Sequence, residues 1–305
     1  MDRVAFVFSG QGDQHPGMGM QLERDDAAAR DVFARCDRLR PDTSRQCFSG
    51  TEEELRETVN TQPCLFAVEM AMAQALRARG LVPSCVAGFS LGELAALTYA
   101  QAMTLEDGFS LVCRRGEWMQ QAAQRCPTAM VAVLRLSAQQ VEEICAQVGD
   151  VYPVNYNCPG QIAVSGREER MAALESAVKA AGGRAVPLKV RGGFHSPFMR
   201  EAAEAFACEL DKSALHAPAL TVYSDVTGAP YPPEIAPLLS RQIAEPVRWE
   251  AVIRGMIAEG VDTFVEIGPG KTLCGLIGRI DRSVRTFAAA CYDDLDVLLA
   301  EVQSC

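Results

Sequence analysis

A few residues in this chain have the types and spacing needed for acyl chemistry. Gly88-Phe89-Ser90-Leu91-Gly92 has the G-x-S-x-G spacing of a nucleophile elbow, in which a serine stands on a sharp turn between a strand and a helix. The apolar Cys85-Val86-Ala87 before it reads as a buried strand, and residues Glu93 to Met103 after it read as a helix. The glycines admit close backbone approach. The first helical turn offers unpaired N–H groups and the positive end of a dipole. A serine placed there can attack a carbonyl carbon, and the oxyanion that forms can be held by backbone amides. A plain Gly-Ser turn is the alternative, and the strand before and helix after favour the elbow.

A serine nucleophile needs a base, and the chain has only 3 histidines. His15 lies in a glycine-rich loop and His216 in Leu-His-Ala-Pro. His195 lies in Arg191-Gly-Gly-Phe-His-Ser-Pro, a tight loop before a helix that Pro197 can open. His195 is the preferred partner of Ser90, with His15 second. No acidic residue between 90 and 195 is clearly placed as a third triad member. A backbone carbonyl can serve instead, because only the imidazole tautomer has to be fixed. Gly10-Gln11-Gly12 directly follows the first strand, where backbone N–H groups can face a ligand or simply turn the chain. Arg114 and Arg115 sit mid-helix. One on an inward face would be paired or would bind an anion, and the apolar periodicity does not choose between them. Gly268-Pro-Gly-Lys-Thr lacks both the phosphate-loop spacing and the third glycine of a dinucleotide fingerprint.

The elements that must position these residues alternate between strand and helix. Val4 to Phe8 is a short, continuously apolar strand stopped by Ser9-Gly10. Residues 20–37 and 51–59 read as polar helices, and 63–79 as an apolar helix ending at Gly80. A helix capped by Thr104 runs to about Gln124. From residue 128 the rhythm changes to β-α-β-β-α-β. Strands are expected at 129–135, 151–156, 161–165 and 184–190, and helices at the capping boxes Ser137 to Gln140 and Ser165 to Glu168. A helix at 197–212, a strand at 220–223, a helix at 248–259 and a strand at 263–267 follow. The fold class is therefore α/β: an α/β-hydrolase-like large subdomain with a mainly parallel sheet (1–127 and 192–305), plus an inserted ferredoxin-like small subdomain (128–191).

Bulk properties narrow the function classes. A formal net charge of −10 argues against nucleic acid as a partner, since phosphate backbones demand clustered cations. No apolar run reaches the roughly 18 residues of a membrane span; the longest, around 81–103, is interrupted by Glu93. The start of the chain lacks a signal-peptide layout, and its 12 scattered cysteines show no C-x-x-C. These features suit a cytoplasmic protein with reduced thiols, no structural metal and no membrane partner.

Taken together, the motifs resemble the malonyl-CoA:acyl-carrier-protein transacylase family of fatty-acid and polyketide synthesis. The segments that carry the likeness are FSGQGDQHPGMG (8–19), TQPCLFAVE (61–69), GFSLGE (88–93), RRGEWMQ (114–120), NYNCPGQIAVSG (155–166), GGFHSPFM (192–199), YSDVTG (223–228), QIAEPVRW (242–249) and VEIGPGKTL (265–273). The resemblance implies that Ser90 is acylated and His195 is its base. Backbone N–H groups of Gln11 and Leu91 would form the oxyanion hole, and Arg115 would clamp the free malonyl carboxylate. A backbone carbonyl at Gln242 would orient His195. Asn157 would face the cleft, and Phe194 would favour malonyl. The partners implied are malonyl-CoA as substrate and an acyl carrier protein as acceptor, with no cofactor and a monomeric enzyme. Phe89, Ser9, Asp13 and Gly193 depart from the family's usual His, Pro, small residue and Ala. An acyl hydrolase, the acyltransferase subunit of a malonate decarboxylase, and a non-catalytic carrier-docking module are the alternatives. The intact Ser, His and Arg set argues against the last.

Overall fold

The computed structural model describes residues 3–190 and 192–303. Two sheets organise them. The first is wholly parallel and contains β1 (Val4–Phe8), β2 (Cys85–Gly88), β7 (Thr221–Tyr223), β8 (Thr263–Ile267) and β9 (Arg285–Ala289), in the order β7-β2-β1-β8-β9. The second is wholly antiparallel and contains β3 (Thr128–Leu134), β4 (Val151–Cys158), β5 (Gln161–Arg167) and β6 (Arg184–Pro187), in the order β4-β5-β3-β6.

The apolar runs of β1, β2 and β8 follow from burial on both faces. Alternate residues of β1 point to opposite sides. Phe6 and Phe8 pack into the core that holds the Thr58–Ala78 and Leu91–Tyr99 helices. Ala5 and Val7 pack with Trp249, Val252, Leu273 and Leu276 from the Trp249–Ala258 and Thr272–Ile280 helices. The antiparallel sheet divides likewise. Val131, Val133, Ile162 and Val164 meet the Ala138–Val148 and Met171–Ala180 helices. Met130, Val154 and Ala163 on its other face join the main core. A short parallel bridge, Asn155 to Val247, ties the two halves together. Tyr156 N–H donates to Val247 O (2.8 Å), and Val247 N–H donates to Val154 O (2.8 Å).

Several boundaries differ from the sequence reading. The expected 20–37 helix is two, Met20–Asp25 and Ala27–Leu39, because Asp26 is extended and spends its carboxylate capping Ala29. A helix at Thr43–Ser49 was not foreseen. The helix placed at 63–79 begins at Thr58; its opening turn closes on the Glu57 carbonyl, so Pro63 falls inside it. The helix after the elbow stops at Tyr99, before a positive φ of 62° at Gln101. Ser137 forms the expected capping box, but Ser165 does not. It is buried in β5 opposite Met130 and Tyr152, and the helix starts only at Met171 after a short 3-10 turn. Pairing of β5 on both edges outcompetes a local cap there. The strand expected at 184–190 ends at Pro187. The helices Thr272–Ile280 and Asp294–Gln303, with β9 between them, were not read from the sequence. No helix among the described residues is long and apolar enough to cross a membrane.

The register of β1 against β2 sets Phe8 beside Gly88, so the loops leaving both carboxyl ends meet. Packing there is tight. A Cβ on Gly88 would lie 1.9 Å from the Gly92 backbone, and one on Gly92 would lie 2.4 Å from the Phe8 carbonyl oxygen. Gly92→Ala should therefore destabilise the fold by about 3 kcal/mol, as overpacked cores do. Urea unfolding would show a lower midpoint at unchanged slope. A wild-type midpoint would mean that the elbow helix can move off β1.

Candidate active site

Ser90 sits at the turn between β2 and the Leu91–Tyr99 helix, with φ 56° and ψ −101°. Few L-residues adopt such a conformation, and it persists only where the surroundings enforce it. Both of its peptide groups are held. Its N–H donates to Asp225 Oδ2 (2.6 Å), and its carbonyl accepts from Gln242 Nε2. The hydroxyl lies 2.7 Å from His195 Nε2.

His195 also has a positive φ, 59°, and is 4% exposed. Its Nδ1 lies 2.9 Å from the Gln242 carbonyl oxygen and 3.2 Å from that of Glu245. Carbonyls only accept, so Nδ1 carries the proton and the Nε2 lone pair faces Ser90. Burial, reinforced by the Arg115 charge, pushes the imidazole pKa down to about 4, against the pull of the two carbonyls. At neutral pH the ring is an uncharged acceptor with its lone pair on the serine hydroxyl. The backbone carbonyl foreseen in place of a triad acid is present at Gln242, with Glu245 as a second.

Arg115 is fully buried on the Leu105–Arg125 helix. Its Nη2 donates to Ser90 Oγ (3.1 Å) and to Gln242 Oε1 (2.8 Å). Nε and Nη1 are buried without a hydrogen-bond partner. Burial lowers its pKa to about 10, which leaves it cationic at neutral pH. Two unspent donor nitrogens on a buried cation are costly, and an anionic acceptor such as a carboxylate suits them. Arg114, by contrast, is exposed and pairs with Glu117 (3.0 Å). The choice that periodicity left open is made by the helix's inner face.

A cleft of about 320 Å³ opens above Ser90 and His195. Gln11, Phe89 and Leu91 line it from the parallel sheet's side, and Met130, Asn155 and Asn157 from the antiparallel sheet. Phe194 is part of the wall. Asn155, which sequence reasoning did not single out, and Asn157 each have a buried, unpartnered Oδ1. The Phe89 ring meets Trp249 edge-on at 5.4 Å between centroids.

Beneath the serine lies a group of buried acids that the sequence did not reveal. Glu93 Oε1 accepts from Asp225 N–H (2.9 Å) and Tyr231 Oη–H (2.9 Å). Burial raises the Glu93 carboxyl to about 7 despite those donors. Burial and the neighbouring Glu93 raise Asp225 as well. His15 and His216 are exposed and take no part; His15 Nδ1 faces the Pro16 carbonyl. In the Gly268-Pro-Gly loop the next helix's amides, those of Leu273 and Cys274, are taken by the Glu266 carboxylate (3.0 and 2.7 Å), so no phosphate sits there. No group of three metal-binding side chains occurs among the described residues.

The arrangement matches known proteins along almost its whole length. The acyl transferase domain family matches residues 5–288. The malonyl CoA-acyl carrier protein transacylase of Bacillus subtilis is 36% identical over 307 residues, covering 98% of this chain and 97% of that protein. The crystal structure of the malonyl CoA-acyl carrier protein transacylase from Clostridium perfringens superposes with a TM-score of 0.96 at 36% identity, covering 99% of this chain and 98% of that one. A malonyl-transacylase solved in complex with its type II PKS acyl-carrier protein gives a TM-score of 0.92 at 32% identity, over 98% of this chain and 99% of that one. The chain belongs to the acyl transferase domain family, among its malonyl CoA-acyl carrier protein transacylases.

Proposed function

We propose that this chain moves a malonyl group from malonyl-CoA to the phosphopantetheine thiol of an acyl carrier protein through a malonyl ester on Ser90. The observation that carries the reading is Arg115. One of its nitrogens donates to the nucleophile while two others are buried and unpaired. An acyl group with a free carboxylate satisfies them, and an acetyl group does not. The cleft volume falls within the range of small-molecule sites.

The reaction runs in two halves. His195 Nε2 takes the Ser90 proton as Oγ attacks the thioester carbonyl. The oxyanion rests on the Gln11 and Leu91 N–H groups. The Leu91 amide opens the helix, and Gln11 and Leu91 line the same cleft as Ser90, which supports this pairing of donors. The C–S bond breaks, and the coenzyme A thiolate takes its proton from His195. The malonyl carboxylate pairs with Arg115. The carrier's thiol then gives its proton to His195 and attacks the ester, and Ser90 leaves with that proton. The Gln242 and Glu245 carbonyls orient the ring and stabilise the transient imidazolium. Asn157 presents an acceptor to the incoming arm, and Phe194 limits space beside the acyl α-carbon.

These roles imply an α/β-hydrolase-like large subdomain of residues 1–127 and 192–305. Residues 128–191 form a ferredoxin-like small subdomain that closes the cleft. The strand order of the antiparallel sheet supports this division. One chain contributes every residue of the site, which suits a monomer that works in the cytoplasm with malonyl-CoA and an acyl carrier protein as its two substrates and no cofactor.

Intact mass after mixing with malonyl-CoA should show a malonyl adduct on wild-type protein and none on Ser90→Ala; an undiminished adduct on the variant sinks the assignment. Arg115→Ala should lower kcat/KM for malonyl-CoA by roughly 10²-fold while sparing acetyl-CoA. Unchanged selectivity would move the clamp to another residue. Because the neutral imidazole is the base, kcat/KM should rise with pH through a limb near about 4 rather than at the ordinary histidine value. It should fall again near about 10 as Arg115 loses its charge. A lower limb near 6.5 would mean that burial does not depress His195 in the free enzyme.

A further inference from the structure

We infer that Asp225 is a positioning residue for the nucleophile, an inference that rests on the acyl transfer proposed above. Ser90 must keep a backbone conformation that L-residues rarely adopt, and three hydrogen bonds to its peptide groups hold it there. Two reach its carbonyl, from Gln242 Nε2 and from the Glu93 N–H (3.2 Å). The third runs from the Ser90 N–H to Asp225 Oδ2 at 2.6 Å, across 135 positions of sequence. Oδ2 accepts that N–H out of reach of water, where losing the acceptor would leave the amide unsatisfied.

Asp225 is itself fixed from three directions. Its N–H donates to Glu93 Oε1 (2.9 Å), and its carbonyl accepts from Arg248 N–H (2.7 Å). Its Oδ2 also lies 3.5 Å from Gln242 Nε2. It is 1% exposed and is not part of the cleft wall, and its Oδ2 is already engaged by the Ser90 N–H. Glu93 belongs to the helix that Ser90 opens. The elbow is thus gripped at both ends, Ser90 and Glu93, by one residue beyond β7. Releasing that grip lets the serine relax its φ and carries the hydroxyl away from both His195 and the oxyanion amides. The loss falls on the chemical step, because the cleft and Arg115 remain in place to bind the thioester.

The test compares wild type, Asp225→Ala and Asp225→Asn as full-length protein, measuring kcat and KM for malonyl transfer from malonyl-CoA to an acyl carrier protein. An Asn side chain keeps an oxygen that can accept from Ser90 N–H, and Ala does not. Asp225→Ala should lose roughly 10²-fold in kcat, as sub-ångström misplacement of a reacting group does, with little change in KM. Asp225→Asn should recover most of that loss. Wild-type kcat in Asp225→Ala, a loss confined to KM, or an Asn variant as slow as Ala would each overturn the positioning role. Should Asp225→Ala fail to fold, Asp225→Asn decides: kcat within about tenfold of wild type supports the role, and a larger loss overturns it. Wild type run alongside must take a malonyl group on Ser90. Its failure to do so would sink the transfer reading itself, and this inference with it, whatever the variants do.

Discussion

The site depends on how one buried amide is oriented. Gln242 is fully buried and meets all three reacting residues through three different atoms. Its carbonyl accepts from His195 Nδ1, its Oε1 accepts from Arg115 Nη2, and its Nε2 donates to the Ser90 carbonyl. Arginine can only donate and a backbone carbonyl can only accept, so the side-chain amide has one satisfying orientation. His195, Arg115 and Ser90 come from separate stretches of sequence, and among the described residues Gln242 is the one outside the trio that hydrogen-bonds to all of them. Gln242 owes its place to both sheets. Three residues beyond the Ala236–Leu239 turn of helix, its segment runs on to Val247, which pairs with β4. The joint between the two sheets therefore also sets the register of the active site.

How much of this could be read from the sequence varied with how local each signal is. The elbow is a local pattern, and strand, turn and helix all lie where Gly88 to Gly92 indicated. His195 was reachable by elimination among three histidines. Arg115 could not be told from Arg114 by periodicity, because both flank apolar neighbours on a long helix; only the packing of that helix separates them. Glu93 and Asp225 left no signal. An acid in a first helical turn reads as a dipole partner, and Asp225 in YSDVTG reads as a turn residue. Their burial is a tertiary fact. The missed Thr272–Ile280 helix is different. Leu273, Leu276, Ile277 and Ile280 have helical spacing and are all buried, so that signal was present and unused. Ser165 shows the converse error, a good capping pattern overridden by strand pairing on both sides.

The departures from the family pattern also acquire a physical reading. Ser9 Oγ donates to the buried Glu69 (2.6 Å), whose carboxyl burial raises well above its ordinary value. Asp13 accepts from Thr272 Oγ1 (2.7 Å). A Cβ on Gly193 would come within 2.9 Å of the Phe198 side chain, which packs edge-on against Tyr152. Phe89 leans on Trp249 rather than on the reacting groups. Each unusual residue is matched by a partner outside the set of atoms that do chemistry.

The buried Arg115 guanidinium donates through Nη2 to the serine oxygen. That contact draws electron density from the hydroxyl and shares the lone pairs that must attack. The same nitrogen also donates to Gln242 Oε1, and the Gln242 carbonyl in turn faces His195 Nδ1. Nucleophile, base and cation therefore cannot be adjusted one at a time, because a shift in any of them is felt along one shared electrostatic circuit.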